Sequence, residues 1–317
     1  MRKYVFKRLL QMIPVVVLVS ILSFLIIHFA PGDPINSYIK PDMSEMEIEE
    51  LRIELGLNGT IVEQYFSWLK NILKGNMGYS LINHRSVANQ IFEKLPSTIL
   101  LMGISFVLSI VISIPLGLIS GYNKNKFWDK IISFISYIGI SVPAFWFGLV
   151  LIIIFSLKLK VLPSNGMRTV GVNSVIDIIR HLVLPSIVLS VGNTAVFTRY
   201  IRANTIRQLE EDYVMTAKSK GIERYKILKN HVLKNCLLPI ITIAGMNIAS
   251  LVTGSFIIES VFGWPGMGTL GMSAINSRDY PMIMGFTMLS CLILIIGNFI
   301  ADLLYGIADP RIKQGAK

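Results

Sequence analysis

Charge is what this chain has least of. Asp, Glu, Lys and Arg together make up 15% of its 317 residues, against about a quarter in globular domains, which excludes an ordinary water-soluble domain. Cysteine is nearly absent. Cys236 and Cys291 both fall in or beside apolar stretches and supply no disulfide framework. The four histidines (His28, His84, His181, His231) are scattered, with no partner at metal-ligand spacing, so no metal site is expected. No Gly-x-Ser-x-Gly elbow occurs. A membrane-embedded enzyme would therefore lack paired catalytic groups.

What is abundant is apolar sequence, 53% of the residues by composition, with a mean hydropathy of +0.61. Six runs approach the ~20 residues a helix needs to cross a bilayer: Leu9–Phe29, Ser97–Gly121, Ile131–Leu157, Leu182–Thr198, Leu237–Ile258 and Met282–Ala301. Each predicts a helix, because backbone polar groups in lipid must be satisfied within their own segment. The expected fold is therefore all-α and polytopic, with six transmembrane helices. None of the span cores holds Asp, Glu, Lys or Arg. Ion-coupled carriers keep acids or histidines there as relays. The nearest acids, Glu259 and Asp302, stand at span ends and read as interfacial. A transporter without an internal relay takes its energy from outside the chain.

Orientation follows from the basic residues. With the N-terminus in the cytosol, 19 of the 30 Lys and Arg lie inside, nine of them between positions 199 and 235. Both termini are then cytosolic, and the formal net charge of +11 reads as topology and lipid contact rather than nucleic-acid binding. The first apolar stretch is too long for a signal peptide, and Phe29-Ala-Pro-Gly-Asp33 has no small-x-small cleavage site, so it reads as a retained anchor. The chain divides into an anchor (1–30), an extracytoplasmic helical segment (31–95), a five-helix core (96–306) containing the cytosolic loop 199–235, and a cytosolic tail (307–317).

In the outer segment, Ser44-x-x-Glu47 has capping-box spacing and opens a helix with Ile48, Leu51 and Leu55 on one face, stopped by Gly56. A second helix is predicted from Ile61 to Lys74, with Tyr65, Trp68, Leu69 and Ile72 on its apolar face and Gly75 at its end. The pair would cap the bundle or meet an outside partner. Asn58-Gly-Thr60 also fits a glycosylation sequon. Pro115, Pro143 and Pro239 lie inside spans, and Ser141-Val-Pro-Ala-Phe-Trp-Phe-Gly148 is the clearest place for a kink.

Gly266-Met-Gly268-Thr-Leu-Gly271 has the letters of a dinucleotide fingerprint, but it follows a membrane helix and no βαβ unit surrounds it. It also has phosphate-loop spacing, with Met272 where the lysine would stand. No other stretch supplies Gly-x-x-x-x-Gly-Lys-Ser/Thr, so the chain is expected to bind no cofactor and hydrolyse no ATP.

The inner loop carries the most information. Its first residues continue the fourth span through Leu209. Asp212 reads as the N-cap of a short helix, Tyr213–Lys220, which Gly221 ends in a left-handed conformation. A basic helix, Ile222–Leu233, then leads to Leu237-Leu-Pro239 and the fifth span. A basic surface loop on anionic lipid would share this composition.

At Met215-Thr-Ala217-x-x-x-Gly221, with Leu238-Pro239 downstream, the chain resembles the "EAA" loop of ABC importer permeases, in the form found in peptide and nickel permeases. Ala30-Pro-Gly-Asp-Pro34, Leu95-Pro-Ser-Thr98, Ser141–Trp146, Asp212-Tyr-Val214, Phe262–Gly268, Arg278-Asp-Tyr-Pro281 and Asp309-Pro-Arg311 extend the resemblance over nearly the whole chain. Met215 and Thr216 replace the motif's Glu and first Ala. The resemblance implies a type I importer permease, the first of a pair. Its partners would be a second permease, two cytosolic ABC ATPases that use ATP-Mg, and an extracytoplasmic solute-binding protein. The cargo would be a peptide, or else nickel or another small solute. It assigns ATPase coupling to Asp212, Tyr213, Met215, Thr216, Ala217, Lys220 and Gly221, with Ala217 small enough for close approach. Polar span residues tend to face the bundle interior, which nominates Asn193, Thr194, Asn247, Ser250 and Thr253 as pathway lining, though helix–helix hydrogen bonds would explain them equally. Phe262, Trp264 and Pro265 are candidates for an outer gate or docking edge. A stand-alone channel or secondary carrier is the competing class, and it leaves the patterned inner loop unexplained.

Overall fold

The structure, a computed structural model, describes residues 2–29, 35, 39, 43–54, 59–233, 235–236 and 250–308. Among these there is no β-strand, only an isolated bridge between Tyr79 and Ser86. The chain runs α1 (Arg2–His28), α2 (Glu45–Glu54), α3 (Ile61–Leu73), α4 (Val87–Tyr122), α5 (Phe127–Ser141), α6 (Ala144–Leu151), α7 (Val175–Leu209), α8 (Asp212–Ser219), α9 (Arg224–Ile227), α10 (Ser250–Thr253), α11 (Phe256–Val261), α12 (Met267–Asn276) and α13 (Tyr280–Ala308).

Helices α4 and α7, with residues 280–300 of α13, are long and apolar enough to cross a membrane. In α1 the described apolar stretch is Leu10–Ile26. Helix α5 and the segment Ala144–Lys158, which is α6 continued by a π-helical stretch Ile152–Lys158, make a broken span bent by 99°. The cause is local. Proline disfavours the helical conformation in the residue before it, so Val142 turns extended (φ −78°, ψ 125°) and ends α5, while Pro143 becomes the cap of α6. Pro115, by contrast, stays inside an unbroken α4. Pro239 and most of the expected fifth span lie outside the described residues. Helix α4 begins well before Ser97, at Val87, where the Ser86 side chain accepts from the Asn89 N–H. The expected boundary at 95/96 thus falls inside one continuous helix.

The seam between α4 and α7 is the spine of the fold. Leu101, Ser105, Ser109, Ser113, Gly117 and Gly121 recur every fourth residue, and all are buried. Small residues let backbones approach where lipid supplies no hydrophobic drive. A Cβ on Gly117 would stand 2.5 Å from the Ile201 Cβ, and one on Gly121 would stand 2.6 Å from that of Thr205. The serines keep their hydroxyls satisfied on their own helix, Ser105 donating to the Leu101 carbonyl at 2.6 Å and Ser109 to that of Phe106 at 2.7 Å.

Both helices of the outer segment open as predicted. Ser44 and Glu47 form a reciprocal cap on α2, and Thr60 and Glu63 do the same on α3. Thr60 is therefore committed to the cap. Helix α3 ends before Gly75, which is left-handed at φ +82°.

Candidate functional site

Three places hold chemistry: the helix of the polar loop, a groove at the broken span and a buried knot at the opposite end of the bundle.

The loop helix α8 begins one residue earlier than the sequence suggests. Only Glu210 and Glu211 join it to α7, so Glu211 takes the extended cap position, and Asp212 falls in the first turn, where a carboxylate favours the positive helix end. At the other end Gly221 is left-handed (φ +73°), the Gly221 N–H bonds the Lys218 carbonyl at 2.9 Å, and the Ile222 N–H bonds that of Ala217 at 3.2 Å. This is a Schellman closure with Gly at its required place. The basic helix expected from Ile222 to Leu233 starts at Arg224 instead and widens into a π turn at Leu228–Val232. In a regular helix residues five apart diverge. The π turn brings Ile227 and Val232 to one side, where they meet Cys236, Val214 and Ala217 in a buried cluster.

Ala217 therefore faces inward. The close approach it permits is to its own chain, which corrects its expected place on the contact face. Met215, 60% exposed, projects outward, with Asp212, Thr216 and Lys220 also exposed. Tyr213 ties both arms of the loop. Its hydroxyl donates to Gln208 at 2.7 Å and accepts from Asn235 at 3.2 Å, and burial raises its pKa.

A second tie lies above α8. The Arg202 guanidinium makes a bidentate pair with Asp129, at 2.6 and 2.8 Å. Asp129 also accepts from the Ser120 hydroxyl at 2.6 Å and the Asn125 N–H at 2.7 Å. Arg202 first, then these donors, hold the Asp129 carboxyl well below the usual carboxylate range. Lys124 pairs with Glu210 at 3.3 Å on the same side. Helices α4, α5 and α7 are thereby clamped where α8 attaches. In the sequence Asp129 and Arg202 are each one more charge near the end of an apolar run, and nothing local pairs them.

The groove at the Pro143 bend holds about 1050 Å³. Ile138, Pro143 and Trp146 line one wall, and Val188, Gly192 and Asn193 the other, with Ser255 at the edge. Among the described residues no charged side chain lines it. Of the nominated pathway residues, Asn193 faces this groove. Thr194 is half-buried, its hydroxyl enclosed with no hydrogen-bond partner among the described residues, and Thr253 is half-buried at the end of α10. Asn247 and the Ser250 side chain lie outside the described residues.

The knot centres on Glu259, fully buried rather than interfacial. One of its oxygens accepts from the Gly268 and Thr269 N–H groups at 2.7 and 3.2 Å, and the other from the Thr98 hydroxyl at 3.1 Å. Thr98 in turn accepts from the Met267 N–H at 2.7 Å. The glycine-rich stretch thus does open a helix start whose N–H groups meet a carboxyl, that of α12, and the carboxyl is the chain's own. A side chain at Gly266 would collide with Glu259 and Thr98. Trp264 is fully enclosed, donating to the Ser97 carbonyl at 2.9 Å beside Leu101 and Leu182. Phe262 packs on Leu151, Leu184 and Val188. A docking edge needs exposed side chains, so Phe262 and Trp264 do not form one; Pro265 is half-buried beside them. Asp279 makes a similar tie, accepting from the Ser80 hydroxyl at 2.5 Å and the Leu81 N–H at 3.2 Å. The stretches Leu95–Thr98, Phe262–Gly268 and Arg278–Pro281, far apart in sequence, are these two knots. Asp302 has no described side chain.

Comparison with known proteins agrees along the whole chain. A family model for binding-protein-dependent transport system inner membrane components matches residues 113–314, and the model for the N-terminal part of such components matches residues 1–102. The oligopeptide transport system permease protein AppB of Bacillus subtilis (strain 168) is 41% identical over 315 residues, 99% of this chain and 100% of that protein. A putative peptide permease protein of Brucella suis is 40% identical over 317 residues, 99% of each chain. The glutathione transport system permease protein GsiC of Escherichia coli K12 is 36% identical over 313 residues, again 99% of each. Among solved structures, a chain of the MetNI methionine ABC transporter, in inward facing conformations, superposes with a TM-score of 0.55 at 17% identity. It covers 69% of this chain and 96% of that one, a likeness of fold.

Proposed function

The chain belongs to the family of binding-protein-dependent transport system inner membrane components and carries the type I importer permease fold, and we propose that it forms one half of a peptide pathway. It is a multi-pass protein of the bacterial cytoplasmic membrane and works with an ATPase subunit. A second homologous permease supplies the other half. Two cytosolic ATPases drive the pair using ATP-Mg, and a solute-binding protein delivers the peptide from outside. The chain itself binds no nucleotide and catalyses no reaction. Both termini are assigned to the cytosol, as α8 is, by the distribution of Lys and Arg.

The observation that carries this reading is the mounting of α8. Its Val214 and Ala217 side is buried in the permease, its Met215 side is open, and Tyr213 and the Asp129–Arg202 pair fix it to both helical arms. A short helix held this way transmits a push as a rigid-body movement of the spans. ATPase closure acting on Asp212, Met215, Thr216 and Lys220 would rock α7 with α4, and the groove at the Pro143 bend would open to alternate sides. Nickel is the competing cargo. None of the described residues lining that groove is His, Cys, Asp or Glu, which favours a peptide, as do the names of the relatives.

Co-purification tests the coupling. Deleting 213–220, or changing Gly221 to Asp, should release the ATPases from the complex and abolish transport. Normal uptake with normal ATPase stimulation after either change would end the docking assignment. Uptake of labelled peptides and of nickel in a strain lacking this chain decides the cargo.

A further inference from the structure

Helix α3 has an apolar face broader than its contact with the bundle. Tyr65 and Trp68 turn toward α1, where their rings pack on Phe24 with centroids at 5.5 and 5.7 Å. On the adjoining side of the same helix Val62, Phe66 and Leu73 are open, at 63%, 62% and 80% exposure. Glu63, Lys70 and Lys74 lie on the other side of that strip, centred about 80° round the helix from Val62, Phe66 and Leu73. The helix therefore has three sectors in order: protein-facing, apolar and open, then charged.

Its depth is set by α1. The Tyr65 hydroxyl meets the Ser20 hydroxyl at 2.7 Å. Ser20 lies eight residues before His28, so two turns, about 12 Å of helix, separate it from the end of α1. Leu18, Leu22 and Ile26 of α1 are themselves exposed, at 57%, 51% and 62%, on an apolar span whose only natural solvent is lipid. A helix whose aromatic side chains reach two turns down such a span cannot stand clear in water.

We infer that α3 lies in the membrane interface, in the leaflet opposite the basic head, with Val62, Phe66 and Leu73 in the acyl boundary and Lys70 and Lys74 at the headgroups. An amphipathic helix with one apolar and one charged side takes this position, and the lysine stems extend along apolar surface toward water. Helix α3 is then a lipid-contacting collar around α1. The binding protein is left to meet other outer surfaces, and the collar fixes the height of α1 against the core.

Nitroxide labels at Phe66→Cys, Leu73→Cys and Lys74→Cys test this, in the assembled transporter in lipid nanodiscs, with Cys236 and Cys291 replaced by Ala. All three positions are exposed, so labelling leaves packing intact. Collision with oxygen should exceed collision with a water-soluble nickel chelate several-fold at positions 66 and 73, and the order should reverse at position 74. Free access of the chelate to 66 and 73 would overturn the inference. If that access were then lost on adding the solute-binding protein, α3 would be a receptor seat instead. Screening from both reagents would place a protein there, and would equally overturn it.

Discussion

Replacing Glu259 separates two meanings of a buried acid. In the structure it accepts from Gly268, Thr269 and Thr98, and it stands where Gly254 and Gly266 leave no room for side chains. Glu259→Ala leaves two backbone N–H groups of α12 without acceptors, at about 1–3 kcal/mol each. With Thr269 only part-buried, the sum is roughly 3 kcal/mol, before any cavity cost. At about 2–4 °C per kcal/mol, the unfolding midpoint of the solubilised complex should fall by roughly 6–12 °C. Glu259→Gln is nearly isosteric. Its carbonyl can take both N–H groups and its amide can donate to the Thr98 oxygen, so the loss should stay within about 1 kcal/mol. The assay is size-exclusion of the complex after graded heating, read beside peptide uptake. If Glu259→Gln destabilised as much as Glu259→Ala, hydrogen-bond satisfaction would be the wrong account of the knot. If it were stable yet inactive in uptake, Glu259 would have a titrating role in transport.

Breaking the Asp129–Arg202 pair with Asp129→Asn should cost roughly 3 kcal/mol, the low end for a buried pair because Arg202 is partly exposed. Because the folded pKa of Asp129 is depressed, its contribution is fully present above the unfolded value of about 4 and is lost only as pH falls through the folded one. The stability gap between wild type and variant should therefore be constant from pH 8 to 5 and narrow as pH falls below about 4, and a gap that stayed constant down to about pH 3 would show that the folded pKa of Asp129 is not depressed. Ala217→Leu should overpack its cluster and lower the stability of the isolated permease by about 1–3 kcal/mol. Met215→Ala should leave that stability unchanged and weaken ATPase retention, measured by pull-down. Gly221→Ala meets no neighbour, so only its left-handed backbone is strained. A loss near 1 kcal/mol is expected, and a much larger one would mean that the turn is packed after all.

The loop helix α8 was legible because its signals are local: Gly221, a polar run between apolar ones, and a motif matching known permeases. Its working face was not. Whether Ala217 or Met215 points outward depends on a π turn ten residues later, whose register follows from which side of that segment the bundle buries. Glu259 stayed hidden for a related reason. An acid beside a span end looks interfacial until the glycines of α12 fold back over it.

By itself the sequence determined the class of protein. Long uncharged runs can only be helices in lipid, and the four-residue spacing of Ser105, Ser109, Ser113, Gly117 and Gly121 marks a face on which another helix can come close. Such features arise from backbone hydrogen bonding and residue size, which act along the chain. Only the tertiary structure decided the partners: Arg202 with Asp129, Thr98 with Glu259, Ser80 with Asp279 and Tyr65 with Ser20. Those pairs join residues between 45 and 199 positions apart, and a buried polar group's choice of partner depends on which segments packing brings within hydrogen-bond reach.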